Sequence, residues 1–223
     1  MSEPFTTQNK PSSENTESSE KINQNLRHEI IQLIPQLIRT PLWHEKNGSQ
    51  MHARVWKFEL HQKSYALKIT LPKSNQAASC LCREHEFLKH LNHPNIAHYI
   101  WHGVIDHRFY GIVTEWLEGQ LLFEIQDCLH SIFADVKSLE QFCHQLKAIA
   151  NHIHTNGVHH RDLWAKNIIV HQQQPYLFDF GWATWSNEEA FTPPQLQEAD
   201  DSIALQQLIE GLLVAFNDDF QEA

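Results

Sequence analysis

The chain has 223 residues, 41% of them apolar and 20% charged, proportions that suit a folded domain with a sizeable core. Acidic residues outnumber basic ones, 27 against 17, and no dense Lys/Arg run offsets that balance, so nucleic-acid binding is disfavoured as the main activity. The longest apolar run, Leu212 to Phe216, is far too short to span a membrane, and the polar N-terminus lacks a basic-then-apolar leader pattern.

In chain order, residues 1–20 are dominated by Ser, Thr, Glu, Asn and Gln and read as a disordered tail, because such a stretch cannot offset the entropy of ordering. Residues 21–40 read as a helical extension: Leu26, Ile30, Leu33, Ile34 and Leu37 recur at helical spacing, with a kink or break at Pro35. Residues 41–118 are strand-rich. Ala53 to Leu60 alternates apolar with polar, and Tyr65 to Ile69 reads as its hairpin partner across a turn at 61–64. Arg83 to Leu91 reads as a helix with Phe87, Leu88 and Leu91 on one face, closed by Pro94. Strands are expected at 97–102 and 110–115.

Residues 119–223 are mainly helical, with a break at Gly119 and an interrupted helical stretch running to Asn156. Short apolar runs follow at 167–170 and 176–178, then a helix from Asp201 to Phe216. The cysteines at 80, 82, 128 and 143 form no metal framework, since Cys80-Leu81-Cys82 is too tight and no second pair follows. They read as free, mostly buried thiols in a reducing, cytoplasmic setting.

The strongest chemical signal is His160-Arg161-Asp162-Leu163-Trp164-Ala165-Lys166-Asn167, followed by Asp179-Phe180-Gly181. An Asp-Phe-Gly triplet alone is weak, but the ordered pair with Asn five residues after Asp162 is specific. The set resembles the catalytic loop and metal-binding motif of the protein kinase family. That resemblance implies an α+β, bilobal protein kinase-like fold, with an antiparallel-sheet N-lobe and a reduced, mostly helical C-lobe. It implies ATP and Mg²⁺ as cofactors, and a phosphoacceptor protein or small molecule as partner. Asp162 would accept the proton of the acceptor hydroxyl, while Asn167 and Asp179 would hold Mg²⁺, a hard ion that prefers such oxygen ligands.

Upstream segments extend the resemblance in the required order. Ala66-Leu67-Lys68 is similar to the strand bearing the phosphate-binding lysine, and Arg83 to Leu88 to the helix bearing its glutamate partner. Glu84 and Glu86 both lie there, and the register running into Leu91-Asn92-His93-Pro94 favours Glu84, with Leu88 then facing Phe180. Tyr110 to Gly119 is similar to the inter-lobe strand and hinge, making Thr114 the gatekeeper. The backbone of Glu115 and Leu117 would meet adenine, with Val55, Ala66 and Ile169 as apolar walls. Taken singly, those apolar residues would be ordinary core and Lys68 an ordinary surface charge. Asp201 resembles the aspartate that braces the catalytic loop.

Three features depart from the family pattern. Between Glu45 and Val55 only Gly48 remains of a glycine-rich phosphate loop, and Asn47-Gly48 also suits a simple turn. Trp164 stands where serine/threonine kinases usually carry lysine, and Lys166, four residues after Asp162, would supply the charge. No Ala-Pro-Glu follows Asp179, the nearest sequence being Thr192-Pro193-Pro194, and only 44 residues follow Asp179 (223 − 179). That brevity is similar to lipopolysaccharide and small-molecule kinases, so a sugar acceptor stands beside Ser/Thr of a protein. A nucleotide-binding pseudokinase is the alternative from another class. Trp182 and Trp185 read as packing residues rather than an acceptor pocket. His160 reads as packing beneath the metal motif, and His152, His154 and His159 as surface or turn residues, because helix positions two apart point to different faces.

Overall fold

The computed structural model describes residues 13–39, 53–70, 75–105, 107, 109–189 and 200–218, and divides the chain into a unit of residues 1–41 and a unit of residues 42–223. The segments around Asn47-Gly48 and Thr192-Pro193-Pro194 lie outside the described residues.

The first unit is built on helix α1, Ser13–Leu37. It starts well before residue 21, so residues 13–20 are helical rather than tail. Apolar periodicity could not reveal this, because residues 13–20 are polar throughout and leave no apolar stripe, though glutamate is a good helix former. Pro35 lies inside α1, which ends shortly after it, as expected when a backbone donor is lost.

The second unit opens with strands β1, Ala53–Leu60, and β2, Lys63–Thr70, paired antiparallel from Ala53↔Thr70 to Leu60↔Lys63. The turn is only His61-Gln62, tighter than the four residues expected, and both have positive φ (51° and 62°). Such left-handed pairs match the twist of a hairpin, and here they occur without the usual Gly or Asn. Helix α2, Asn75–His90, follows, then β3, Tyr99–Ile105, and β4, Phe109–Glu115. The four strands form one antiparallel sheet in the order β1-β2-β4-β3.

Beyond Glu115 the chain forms β5, Gln120–Leu121, the short helix α3, Leu122–Ile125, a 3-10 segment over 126–131 and helix α4, Val136–Thr155. The start of α4 is fixed by Asp135, whose side chain accepts from the Ser138 N–H (2.8 Å) while the Asp135 N–H donates to Ser138 Oγ (3.2 Å). Leu139, Phe142, Leu146, Ile149 and Ile153 recur along its buried stripe. Strands β6, Val158–His159, β7, Ile168–His171, β8, Gln174–Leu177, and β9, Thr184–Trp185, come next, before helix α5, Asp201–Asp218. They form two small sheets, β5-β7-β8 and β6-β9.

The loop 160–167 therefore leaves β6 and enters β7, while Asp179-Phe180-Gly181 lies between β8 and β9. Pairing of His159 with Thr184 and of Ile168 with Leu177 holds the two segments side by side. A second tie joins the two halves of this unit. The Leu177 N–H donates to Asn95 O (2.8 Å), the Ala97 N–H to Leu177 O (3.3 Å), and Asn95 Nδ2 to Pro175 O (3.0 Å). One continuous core runs from Leu81 and Phe87 through Phe142 and Leu146 to Phe216. All four cysteines are free, but only Cys143 is buried, while Cys82 and Cys128 are exposed, which corrects the mostly buried reading. Among the described residues no helix is long and apolar enough to cross a membrane.

Gly119 sits where the chain passes from β4 to β5, with φ +126°, and a Cβ there would lie 2.3 Å from Val170 O. Gly119→Ala is expected to lower stability by about 1–3 kcal/mol, from backbone strain and the clash together. Urea unfolding checks this; an unchanged midpoint would show that the β5–β7 junction yields freely.

Candidate active site

Tyr65, Leu67 and Ile69 of β2 are buried, so the alternating Ala66 and Lys68 face the other side of the sheet. Strand register carries that face across the sheet, with Val55 opposite Lys68 and Thr114 opposite Ala66. Val55, Ala66, Lys68 and Thr114 share that face and are all half-buried. Glu115, Leu117 and Ile169 are half-buried as well.

The Lys68 ammonium donates to Glu84 Oε2 of α2 (2.8 Å) and to Asp179 Oδ1 (2.9 Å), joining residues from three distant parts of the chain. Glu86 is occupied elsewhere, accepting from Trp185 Nε1 (2.9 Å). Leu88 and Phe180 are both buried in the shared core. Gly181 allows α2 to approach closely: a Cβ there would lie 3.2 Å from the Cys80 Cβ and 3.3 Å from Asp179 Oδ1.

On the facing loop, Asn167 Nδ2 donates to both the carbonyl and Oδ2 of Asp162, each at 2.8 Å. Asp162 Oδ1 is buried and, among the described residues, accepts no hydrogen bond. Two residues here hold left-handed backbone that is uncommon without glycine, Arg161 (φ 63°) and Asp179 (φ 61°). The buried Asp201 carboxylate fixes the first: Oδ2 accepts the His160 N–H (2.6 Å) and Oδ1 the Arg161 N–H (2.8 Å). Arg161 Nε donates to Thr184 Oγ1 (2.9 Å). His160 donates from Nε2 to Phe178 O (3.0 Å) and meets the Phe180 ring edge-on at 4.6 Å, which is the packing role expected of it.

Burial and charge set the ionisation. Burial pushes the Asp162 carboxyl up to about 7, with the nearby Asp179 charge adding to it and the Asn167 hydrogen bond opposing. Glu84 is also raised by burial, against the pull of Lys68. Burial opposes ionisation of Asp179, yet the Lys68 ammonium outweighs it and holds this carboxyl below its usual range. Lys68 likewise suffers burial but is held above its usual value by Asp179 and Glu84.

The Asp179 carboxylate and the Asn167 amide oxygen make a hard-oxygen donor set, beside the unpartnered buried oxygen of Asp162. Asp179 stays ionised beside Lys68 and supplies the negative charge. Both features fit Mg²⁺. Lys166 stands apart from this set, with its ammonium 4.5 Å from the Trp164 ring centroid and 5.0 Å from that of Phe123. Sequence reasoning missed a second cluster beside the cleft. Arg83 donates to Ala183 O (3.2 Å) and Glu188 Oε2 (3.3 Å), and Trp185 packs on Phe87 with centroids 4.9 Å apart. Each is an exposed or aromatic residue that would read as ordinary surface or core, so the sequence held no signal for the cluster.

Comparison with known proteins gives the class that this fold and site define. The protein kinase domain family matches residues 44–196, more than half of the chain, and the chain belongs to that family. It is 28% identical over 157 residues to the probable serine/threonine-protein kinase YbdM of Bacillus subtilis (strain 168), covering 69% of this chain and 60% of that protein. It is also 28% identical over 133 residues to the human serine/threonine-protein kinase A-Raf, covering 57% of this chain and 21% of that protein. The chain thus spans less than two thirds of the length of these relatives.

A carboxyl whose folded value lies near 7 against an ordinary 3.8 binds its proton more tightly in the folded state, so stability falls as pH rises between those values. Asp162→Asn, which stays neutral, is expected to melt roughly 2–6 °C above the parent at about pH 8 without Mg²⁺. The difference should shrink towards about pH 4. A pH-independent difference in thermal scans would show that the Asp162 carboxyl is not held protonated.

Proposed function

We propose that this chain transfers the γ-phosphoryl group of ATP to a hydroxyl of serine or threonine in a protein, with Mg²⁺ as the required ion. The observation that supports it most is the Lys68–Glu84–Asp179 ion cluster set opposite the Asp162–Asn167 pair. In this reading Lys68, braced by Glu84, binds the α- and β-phosphates. Asp179 and Asn167 hold Mg²⁺, which neutralises charge on the phosphates. Asp162 orients the acceptor hydroxyl through its unpartnered oxygen and takes its proton.

The hinge supports a purine site. The Glu115 N–H donates to His98 O (2.9 Å) and the Trp116 N–H to Ser64 O (3.0 Å), so an adenine edge would meet the Glu115 carbonyl and the Leu117 amide. Val55, Ala66 and Ile169 would flank the base and Thr114 would sit at its inner edge. Lys166 would leave its aromatic neighbours to place positive charge beside the transferred group. Positioning and electrostatics carry most of the catalysis, since phosphoryl transfer asks little covalent help of the protein.

The test is labelled ATP with Mg²⁺, assayed on a protein-substrate mixture and on a panel of sugars and glycans. Transfer to protein Ser/Thr is expected, reduced about 100-fold or more by Lys68→Met, Asp162→Asn or Asp179→Ala. Labelling confined to sugars would move the acceptor class, and turnover indifferent to Asp179→Ala would remove phosphoryl transfer from this site. Lys166→Ala should cost about tenfold in turnover with an unchanged melting temperature. Full activity in that variant would leave the ammonium only its ring contacts.

A further inference from the structure

Away from the cleft, His154 near the end of α4, His159 of β6 and Asp201 at the start of α5 converge. His154 Nε2 lies 3.0 Å and His159 Nδ1 4.0 Å from Asp201 Oδ2, and the three atoms all fall within 4.8 Å of one another. The two imidazole ring centroids lie 4.9 Å apart, with the ring planes tilted by 38°. Asp201 is almost wholly buried, whereas His154 and His159 keep 26% and 31% of their side chains exposed, so one side of the group is open to solvent. Helix spacing alone argues against histidine ligands here. It fails because the partners of His154 come from β6 and α5 rather than from its own helix.

We propose that His154, His159 and Asp201 form a binding site for a first-row transition-metal ion, Zn²⁺ in particular, with water completing the coordination. Two imidazoles and one carboxylate are a donor set suited to Zn²⁺ and poorly suited to Mg²⁺ or Ca²⁺. Ligand atoms about 2.0–2.1 Å from a tetrahedral Zn²⁺ stand about 3.3 Å from each other, and the present 3.0 and 4.0 Å separations straddle that value. Small side-chain rotations would bring the site into register. The open side gives the ion a path in and room for water.

The charges around the group favour a cation. Burial, Arg161 and His154 lower the proton affinity of His159, leaving its nitrogen lone pair available. Burial works against ionisation of Asp201, but His154, His160 and the two backbone N–H donors outweigh it, so the carboxylate is charged. The Arg161 guanidinium is the opposing charge, and Asp200 and Asp201 together outnumber it. The carboxylate oxygen that would take the ion also accepts the His160 N–H, and its twin accepts the Arg161 N–H. An ion here would therefore stiffen the loop that carries Asp162.

The test uses the full chain, stripped of metal and kept in excess Mg²⁺, titrated with Co²⁺ and followed by visible absorption. One equivalent of Co²⁺ with the d–d bands of a four- or five-coordinate N/O site is expected, and Zn²⁺ should discharge those bands. His159→Gln and His154→Gln should each weaken binding about tenfold or more, and Asp179→Asn should leave it intact. Zn²⁺ should raise the melting temperature of the parent and of Asp179→Asn, but not of the histidine variants. Absence of stoichiometric Co²⁺ binding, or binding indifferent to both histidine substitutions, overturns the site and leaves the three side chains a hydrogen-bonded brace. These readouts do not involve phosphoryl transfer, so they stand or fall separately from the function proposed above.

Discussion

The arrangement depends on one cation largely withdrawn from water. The Lys68 ammonium sits 2.8 Å from Glu84 and 2.9 Å from Asp179, and each partner comes from a different part of the fold. Removing a charge from water is costly, and only close, oriented counter-charges offset it. The sheet, α2 and the segment after β8 must therefore meet at one point, or a charge is left buried alone. Burial raises the Asp162 carboxyl and the Asp179 charge adds to it, while Asp179 itself stays ionised beside Lys68.

The loop opposite is held by a different device. Arg161 and Asp179 both occupy left-handed backbone, a conformation that side chains disfavour. The structure sustains it through over-determination. Asp201 takes two consecutive N–H groups of the loop, Arg161 reaches Thr184 on the neighbouring strand, and His160 ties the loop to Phe178. Each bond is modest by net energy, but leaving any of these buried donors unpaired would cost more than forming the bond contributes. The strain and its supports are therefore one unit, and Asp201 is its centre.

Helix α2 is held from both sides. Its inner face gives Glu84 to Lys68, while its outer face is fastened to the segment after Gly181 by Arg83, Glu86 and the Trp185 ring on Phe87. The fastening uses carboxylates and a carbonyl already in the sequence, with Glu188 supplying the anion that faces Arg83. Glu84 thus keeps its place through contacts that belong to this chain's own post-Gly181 segment.

Residue order and spacing alone determined much of this protein. The alternation of Ala53 to Leu60, the apolar stripe of α4 and the ordered motifs around Asp162 and Asp179 fixed the element types and the family, because those signals are local and repeat at the period of their element. The helical start of α1 was hidden, since polar residues with good helix propensity leave no apolar stripe. The register that follows Glu84 already favours it over Glu86 as the partner of Lys68, and the structure agrees, but only the tertiary structure could show that Arg83 faces Glu188 and that His154 and His159 share Asp201. These pairings join residues tens of positions apart. Which of several chemically equivalent carboxylates or imidazoles meets its partner is decided by how helices and strands dock, a geometry to which spacing along the chain is blind.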